Sequence, residues 1–180
     1  MRYWFDCEFV EDGKTIDLIS IGIVAEDGRQ FYAECSSTDL SKANQWVQDN
    51  VIGQLWHKQS DKRTANAWSR DGGSSGLLCR KEIARYLIAF CDPAKHGPPE
   101  FWADFGAYDW VCLCQIFGTM MDLPTGWPFY CRDIRQLAEV KGNPILPKQT
   151  TPEHHALNDA LYAKECWEFL SKLPTTEEVR

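Results

Sequence analysis

The fold is decided by the stretch Arg2-Tyr3-Trp4-Phe5-Asp6-Cys7-Glu8-Phe9-Val10. A β-strand turns successive side chains to opposite faces, so this stretch predicts one apolar face and one face that carries both acids. The apolar face would hold Tyr3, Phe5, Cys7 and Phe9, and the other face Trp4, Asp6 and Glu8. Carboxylates two residues apart on a strand lie roughly 6.5–7 Å apart and point the same way.

The pair formed by Asp6 and Glu8 indicates a site for a cation. Neither carboxylate can neutralise the other, and hard oxygen ligands of this kind suit Mg²⁺ or Mn²⁺. The alternative is a strand side that faces solvent and is merely acidic. The choice between them depends on whether the rest of the chain supplies further ligands.

Length and composition predict a globular protein. A chain of 180 residues with 44% apolar residues can form a single domain, residues 1–180, with a substantial core. No run approaches the roughly 18 apolar residues that cross a membrane. The first residues enter a strand without the apolar segment of a signal peptide, so we expect a cytoplasmic protein that binds no membrane.

Charge and cysteine content constrain the possible function less than the acidic pair on the first strand does. A net charge of −7 argues against a general polyanion binder, although bound divalent cations would reverse the local field at an acidic site. The eight cysteines include no C-x₂-C pair, and several fall at apolar-periodic positions such as Cys7. We therefore expect buried free thiols and no zinc site.

The pattern of elements predicts an α/β fold. Residues 1–35 predict an antiparallel meander with strands over 2–10, 16–25 and 29–35, because Asp-Gly between apolar runs is a strong hairpin signal. Short helices over 38–60 and a Gly-Ser loop over 71–76 follow. The remaining predicted elements are helices over 78–91, 107–117, 133–141 and 153–171 and strands over 100–105 and 128–131. Together they predict a mixed five-stranded sheet, a meander plus parallel strands, flanked by helices.

Two later motifs supply further candidate ligands. Asp109 lies in the first turn of a predicted helix, where an aspartate is also common simply because it complements the helix dipole. The last predicted helix opens with His154-His155, and Asp159 follows five residues after His154. Adjacent histidines can indicate zinc, but no cysteine or third histidine has suitable spacing.

In combination these motifs resemble a known superfamily. Asp-x-Glu on the first strand, an aspartate on a middle helix and His-x₄-Asp on the last helix form the pattern of the DEDD superfamily of 3′–5′ exonucleases, in its histidine-bearing DEDDh branch. The chain resembles that superfamily over nearly its full length, which implies a ribonuclease H-like fold. It also resembles the actinobacterial polyadenylate-specific 3′–5′ exoribonuclease group at Phe5–Gly13, Leu18–Gly22, Gly106–Asp109, Arg132, Arg135–Leu137 and His154–Ala160.

The resemblance also implies a chemistry. It implies hydrolysis of RNA from the 3′ end with two Mg²⁺ or Mn²⁺ ions, releasing nucleoside 5′-monophosphates and favouring adenylate-rich RNA. In this scheme Asp6 bridges both metals, Glu8 and Asp159 complete the site that activates water, and Asp109 helps to hold the second metal. His154 would be the general base, a task that suits an imidazole with an ordinary pKa near 6.5. His155 misses the His-x₄-Asp spacing by one residue.

Substrate contacts are less clear from the sequence. Phe9 follows the first motif where a side chain could stack on a terminal base, although its alternation with Cys7 favours a core position. Many relatives carry His-Asn where this chain has Asp104 and Phe105, which leaves substrate contacts at Asp104 open. Arg132 and Arg135 begin the densest basic segment near the last motif and would either bind phosphates or form a solvated helix face.

The expected partners follow from the same resemblance. It implies single-stranded RNA or an RNA 3′ overhang as substrate, and a homodimer. Single-stranded DNA is the alternative substrate, because the acids and the histidine serve both equally well. A catalytically silent nucleic-acid-binding domain is a third possibility, against which the retention of all four acids and His154 argues.

Overall fold

The structure is a computed structural model that describes residues 1–59 and 75–174. Its strands are β1 (Arg2–Glu11), β2 (Ile16–Ala25), β3 (Gln30–Cys35), β4 (Ser75–Leu78), β5 (Glu100–Ala103) and β6 (Arg132–Asp133). Its α-helices are α1 (Gln45–Asn50), α2 (Trp56–Gln59), α3 (Arg80–Phe90), α4 (Pro93–His96), α5 (Ala107–Phe117), α6 (Ile134–Val140) and α7 (Ala156–Ser171). Short 3₁₀ turns cover Leu40–Lys42, Ile52–Gln54 and Met120–Asp122. Within the described ranges, no helix combines the length and apolar character needed to cross a membrane.

The six strands form one mixed sheet in the order β4-β3-β2-β1-β5-β6. β1, β2 and β3 pair antiparallel, as predicted for the meander. The other three pairings are parallel and join β4 to β3, β5 to β1 and β6 to β5. The predicted α/β class and the mixed sheet with flanking helices are therefore confirmed. β1 lies in the interior of the sheet, and both of its faces are covered.

The predicted alternation of β1 is confirmed. Tyr3, Phe5 and Cys7 are at most 4% exposed and pack into the main core with residues of α3 and α5. Trp4 points the other way, into a second core formed with α6 and α7. Burial of a large apolar side chain contributes about 1.5–3 kcal/mol, so packing on both faces fixes the strand firmly. The side chains of Asp6 and Glu8 are consequently held on the face that α7 covers.

Gly22 lets α7 approach the sheet closely. It pairs with Asp6 across the β1–β2 ladder. A Cβ atom at Gly22 would lie 2.4 Å from backbone atoms of Ala156 and Leu157, a distance that real Cβ atoms do not show. Only glycine at this position allows the first turn of α7 to lie directly on β2, which brings the C-terminal motif beside the acids of β1.

The predicted strand count of five is wrong, because β4 adds a sixth strand. The sequence predicts Ser75 and Gly76 in the Gly-Ser loop and Leu78 at the start of a helix, yet Ser75–Leu78 pairs parallel with β3 at the edge of the sheet. Edge pairing depends on backbone hydrogen bonds, which glycine and serine can provide without an alternating apolar pattern. The helix begins instead at Arg80, where Cys79 and Glu82 form a capping box. Residues 71–74 of the predicted loop lie outside the described residues.

The predicted strand over residues 128–131 is also wrong. The residues of this segment that pair with β5 are Arg132–Asp133, which directly follow the predicted strand. Phe129 and Tyr130 suggested a buried strand, but they are 54% and 59% exposed. Pro128 lacks a backbone N–H for a ladder, and the carbonyl of Phe129 accepts a hydrogen bond from the indole N–H of Trp110 at 3.3 Å instead.

The cysteines are free thiols, as predicted. Six of the eight are buried, and the remaining two, Cys79 and Cys131, are partly exposed. Cys7, between the two acids of β1, belongs to the main core.

Candidate active site

One cleft collects most of the predicted site residues. It has a volume of about 560 Å³ and is lined by residues of β1, α1, the β5–α5 loop, α5 and the start of α7. Seven of the nine predicted residues line it: Asp6, Glu8, Phe9, Asp104, Asp109, His154 and Asp159. Arg132 and Arg135 are not among the described residues that line it.

Asp109 is fixed to β1 by the backbone of the strand. It lies in the first turn of α5 and is 6% exposed. Its Oδ1 atom accepts a hydrogen bond from the backbone N–H of Cys7 at 2.8 Å. Because Cys7 separates Asp6 from Glu8, this bond holds the carboxylate of α5 between the two acids of the strand.

Asp159 brings the last motif to the same place. Ligand atoms of Glu8, His154 and Asp159 all lie within 4.8 Å of one another. The carboxylate of Asp159 accepts hydrogen bonds from the backbone N–H of His154 at 2.9 Å and from the side-chain amide of Gln149 at 2.5 Å. Asp159 therefore faces the cleft and also fixes the loop that carries His154.

His154 adopts an unusual backbone conformation. Its φ is +64°, a left-handed value that costs a residue other than glycine about 1–3 kcal/mol. This turn makes α7 begin at Ala156, three residues later than predicted. The side chain of Gln54 donates to the carbonyl of Glu153 at 2.5 Å, and the ring of Trp46 meets the His154 ring edge-on at 4.8 Å. The segment around α1 thus supports the corner that presents His154 to the cleft.

His155 has a different environment although it is the next residue. It is 7% exposed, stacks on Tyr32 at 4.6 Å and contacts Trp56 at 5.5 Å between ring centroids. Neither ring nitrogen has a hydrogen-bond partner among the described residues, and burial lowers the pKa of the imidazole. His155 packs in an aromatic part of the core and does not line the cleft.

Burial raises the pKa of the four inner carboxylates, those of Asp6, Glu8, Asp109 and Asp159, and repulsion within the set adds to this rise at Asp6 and Glu8. Burial, followed by the charges of Asp159 and Asp109, raises the pKa of Glu8 to about 8. Burial is also the main cause that raises the pKa of Asp109 to about 7, although the bond from Cys7 opposes it. The pKa of Asp6 lies well above its ordinary value because of burial and then the charges of Asp109, Glu8 and Asp159. Burial raises the pKa of Asp159 as well.

This donor set fits a divalent cation. Within the described ranges, none of the four inner carboxylates forms an ion pair with lysine or arginine. Full ionisation is therefore unfavourable unless a cation compensates the charge. Several carboxylate oxygens that converge in this way are the ligands that Mg²⁺ or Mn²⁺ prefers.

Asp104 at the rim of the cleft is neutralised within the protein. Its two oxygens accept hydrogen bonds from Nε and Nη2 of Arg135, both at 2.6 Å. The guanidinium of Arg135 also lies 4.5 Å from the centroid of the Phe105 ring. Arg132 pairs with Glu100 at 3.5 Å, lies near Trp102 and is not one of the described residues that line the cleft.

Phe9 combines features of both predicted interpretations. It lines the cleft, yet it is partly buried and packs against the main core. Its ring meets Tyr108 edge-on at a centroid distance of 6.0 Å. Besides Phe105, the cleft aromatics Trp46 and Tyr108 were not predicted as site residues; they are 53% and 54% exposed. Tyr108 directly precedes Asp109, a position that could have revealed it, whereas nothing in the sequence distinguishes Trp46.

Family comparison agrees with this architecture. Residues 1–171 match the family described as the 3′-5′ exoribonuclease Rv2179c-like domain, and the chain belongs to that family. The matched span contains the whole cleft. The predicted resemblance to 3′–5′ exoribonucleases is therefore confirmed at the level of the family.

Two curated relatives are similar over most of their length. The chain is 40% identical to the 3′-5′ exoribonuclease Rv2179c of Mycobacterium tuberculosis (strain ATCC 25618 / H37Rv) over 160 residues, which cover 89% of this chain and 87% of the relative. The same identity and coverage hold for the 3′-5′ exoribonuclease MT2234.1 of Mycobacterium tuberculosis (strain CDC 1551 / Oshkosh).

Proposed function

We propose that the protein is a divalent-metal-dependent 3′–5′ exoribonuclease. The observation that carries the proposal is the convergence of four carboxylates from β1, α5 and α7, together with His154, in one cleft. In the described part of the chain these carboxylates have no basic counterion, so the site suits bound cations. Family membership and the names of the relatives support RNA as the substrate.

The finer proposal is a DEDDh enzyme with a ribonuclease H-like fold formed by residues 1–180 as one domain. A meander followed by parallel strands supports this fold, and the placement of the acids supports the branch. Release of nucleoside 5′-monophosphates, a preference for adenylate-rich RNA, homodimerisation and a cytoplasmic location extend the proposal on the basis of the sequence resemblance.

The four inner carboxylates have a proposed role at the metal site. Asp6, Glu8, Asp109 and Asp159 would hold two Mg²⁺ or Mn²⁺ ions. When bound, such ions lower the pKa of a water molecule and stabilise the charge on the leaving 3′-oxygen. Fixing Asp109 through the Cys7 N–H and Asp159 through the His154 N–H keeps both carboxylates in place before any cation binds.

His154 would accept the proton of the attacking water. A general base must be neutral to accept a proton, and histidine is the side chain that most often performs this task. The ring faces the cleft, and the Trp46 contact limits its rotation. The backbone bond from His154 to Asp159 keeps base and carboxylate at a fixed separation.

The test uses 5′-labelled poly(A), mixed-sequence RNA and single-stranded DNA with Mn²⁺, for the unmutated protein and for Asp6→Asn. We expect RNA to shorten by single nucleotides from the 3′ end, with no shortening by Asp6→Asn. Equal decay with both proteins would indicate a contaminating nuclease and reject the proposal. Degradation of DNA alone would favour the exodeoxyribonuclease alternative, and binding without cleavage would favour a silent domain.

A further inference from the structure

Phe105 is an exposed aromatic residue in a strained part of the cleft. It lies in the loop between β5 and α5, lines the cleft and is 70% exposed. Its φ of +53° is a left-handed value that is unfavourable for a bulky residue. Neither the exposure of a large apolar ring nor this backbone conformation stabilises the fold. A functional role would explain why both occur at the same residue.

The ring is supported on one side by a fixed cation. The guanidinium carbon of Arg135 lies 4.5 Å from the ring centroid, and the two hydrogen bonds that the guanidinium donates to Asp104 hold it in place. Asp133 links the backbone beside Phe105 to that of Arg135, because its carboxylate accepts hydrogen bonds from the backbone N–H of Gly106 at 2.9 Å and from that of Arg135 at 2.7 Å. The ring therefore has a defined position, and its high exposure leaves the other face available to the cleft.

We propose that Phe105 is a platform on which a nucleobase of the substrate strand stacks. This inference rests on the proposed function and adds a binding site to it. Base–aromatic stacking tolerates any sequence because every base has a π face, which suits an enzyme that moves along a strand. Phe105 precedes Asp109 by only four residues and lines the same cleft, so a strand whose phosphate lies at the carboxylates can place a base on this ring.

The same geometry assigns a supporting task to Asp104 and Arg135. The sequence left substrate contacts at Asp104 open and offered phosphate binding as one of two roles for Arg135, but the charges of the two side chains are directed at each other. With its charge compensated, the Arg135 side chain acts as a positioning residue beneath Phe105, and Asp104 holds it there. Phe105 thus presents one face of its ring to the substrate, and the Arg135 guanidinium lies against the opposite face.

The first experiment removes the ring and keeps the backbone. Asparagine adopts left-handed φ values readily, so Phe105→Asn retains the loop conformation without the platform. With Mn²⁺ and a short RNA, we expect KM to rise, kcat/KM to fall about 5- to 100-fold and kcat to change little. Phe105→Trp should keep the unmutated kcat/KM within about threefold, because it preserves a stacking face.

Phe129→Asn is the matched control. Phe129 is also an exposed phenylalanine, at 54%, and it is not one of the described residues that line the cleft. We expect this variant to keep the unmutated KM and kcat. Unchanged kinetics for Phe105→Asn, or a fall in kcat at constant KM, would overturn the platform.

The second experiment locates the stacked base. RNA oligomers that carry one abasic residue at successive positions from the 3′ end should show a raised KM at one position with the unmutated protein. Phe105→Asn should lose this sensitivity at that position, because the base then has no ring to contact. The same abasic profile in both proteins would reject the inference. If the unmutated protein does not shorten intact RNA at all, the proposed function itself fails.

Discussion

Two sets of carboxylates line the same cleft and differ in what neutralises them. Asp104, at the rim, forms two hydrogen bonds with Arg135. Asp6, Glu8, Asp109 and Asp159 lie deeper, and among the residues that the structure describes they form no ion pair with a basic side chain. An acidic residue in a cleft is thus not by itself a metal ligand, because its partners decide whether a negative charge remains for a cation.

The largest contrast should appear when one member of each set is changed. Asp6→Asn removes a charge that we propose both metals need, and we expect kcat to fall by about 10³-fold or more, equivalent to several kcal/mol of transition-state stabilisation. Asp104→Asn should raise KM and lower kcat/KM by at most about tenfold, because it only loosens the support of Phe105. Steady-state kinetics on one RNA oligomer measure both. Equal losses would mean that the two sets do not differ in function.

A second contrast extends the comparison to the adjacent histidines. His154→Ala should lower kcat by about 10²- to 10⁴-fold, the usual contribution of a general base, with little change in melting temperature. His155→Phe should keep kcat within about threefold, because His155 packs between Tyr32 and Trp56. Its melting temperature should stay the same or rise, since the change removes two buried nitrogens without partners in the described structure.

Kinetic and thermal measurements on both variants check this contrast. A large loss of kcat in His155→Phe with an unchanged melting temperature would mean that His155, and not His154, is the general base. Wild-type kcat in His154→Ala would remove the general base from the proposed mechanism.

Local patterns explain which parts were predictable from the sequence. The alternation of β1 and the Asp-Gly turns depend on neighbouring residues, so the meander and the shared face of Asp6 and Glu8 could be predicted. The contact between Asp104 and Arg135 joins residues 31 positions apart, and no local pattern specifies it. The same limit applies to Trp46, which reaches His154 from α1.

The edge strand β4 and the close contact between α7 and β2 were harder to predict from the sequence. β4 pairs through its backbone at the edge of the sheet, so its composition of serine, glycine and leucine indicated a loop. The seating of α7 depends on the missing side chain of Gly22, which becomes evident only once β2 and α7 are placed together. The motifs therefore single out candidate site residues from the sequence alone, whereas the packing partners of these residues required the structure.

The raised pKa values of the inner set predict how metal-free stability depends on pH. In the folded protein the pKa of Glu8 is about 8 and that of Asp109 about 7, both above their ordinary values near 4. Between about pH 4 and pH 8 the folded state binds more protons than the unfolded state, so the free energy of unfolding falls as pH rises. In EDTA we expect the melting temperature to be highest near pH 4–5 and to decrease toward pH 8.

Added Mg²⁺ or Mn²⁺ should reverse this decrease, because cations bind the ionised carboxylates. At a metal concentration of 100 Kd the gain is about 2.7 kcal/mol, or roughly 5–10 °C for a domain of this size. Asp104→Asn should keep the response to metal, and Asp6→Asn should lose most of it. Two results would contradict the proposed difference between Asp104 and the inner carboxylates. One is a melting temperature in EDTA that rises between pH 5 and 8, and the other is a melting temperature of the unmutated protein that does not change when metal is added.

The smallest effect concerns a basic residue that the structure places outside the cleft. Arg132 pairs with Glu100 at 3.5 Å on a partly exposed surface, where such a pair contributes about 0–1 kcal/mol. Arg132→Gln should therefore change kcat/KM by less than about twofold. A phosphate contact would instead reduce the slope of log KM against log salt concentration by about 0.7 for single-stranded substrate. Measurement of this slope for Arg132→Gln and the unmutated protein decides the matter, since a lower slope would mean that the bound strand extends beyond the cleft to β6.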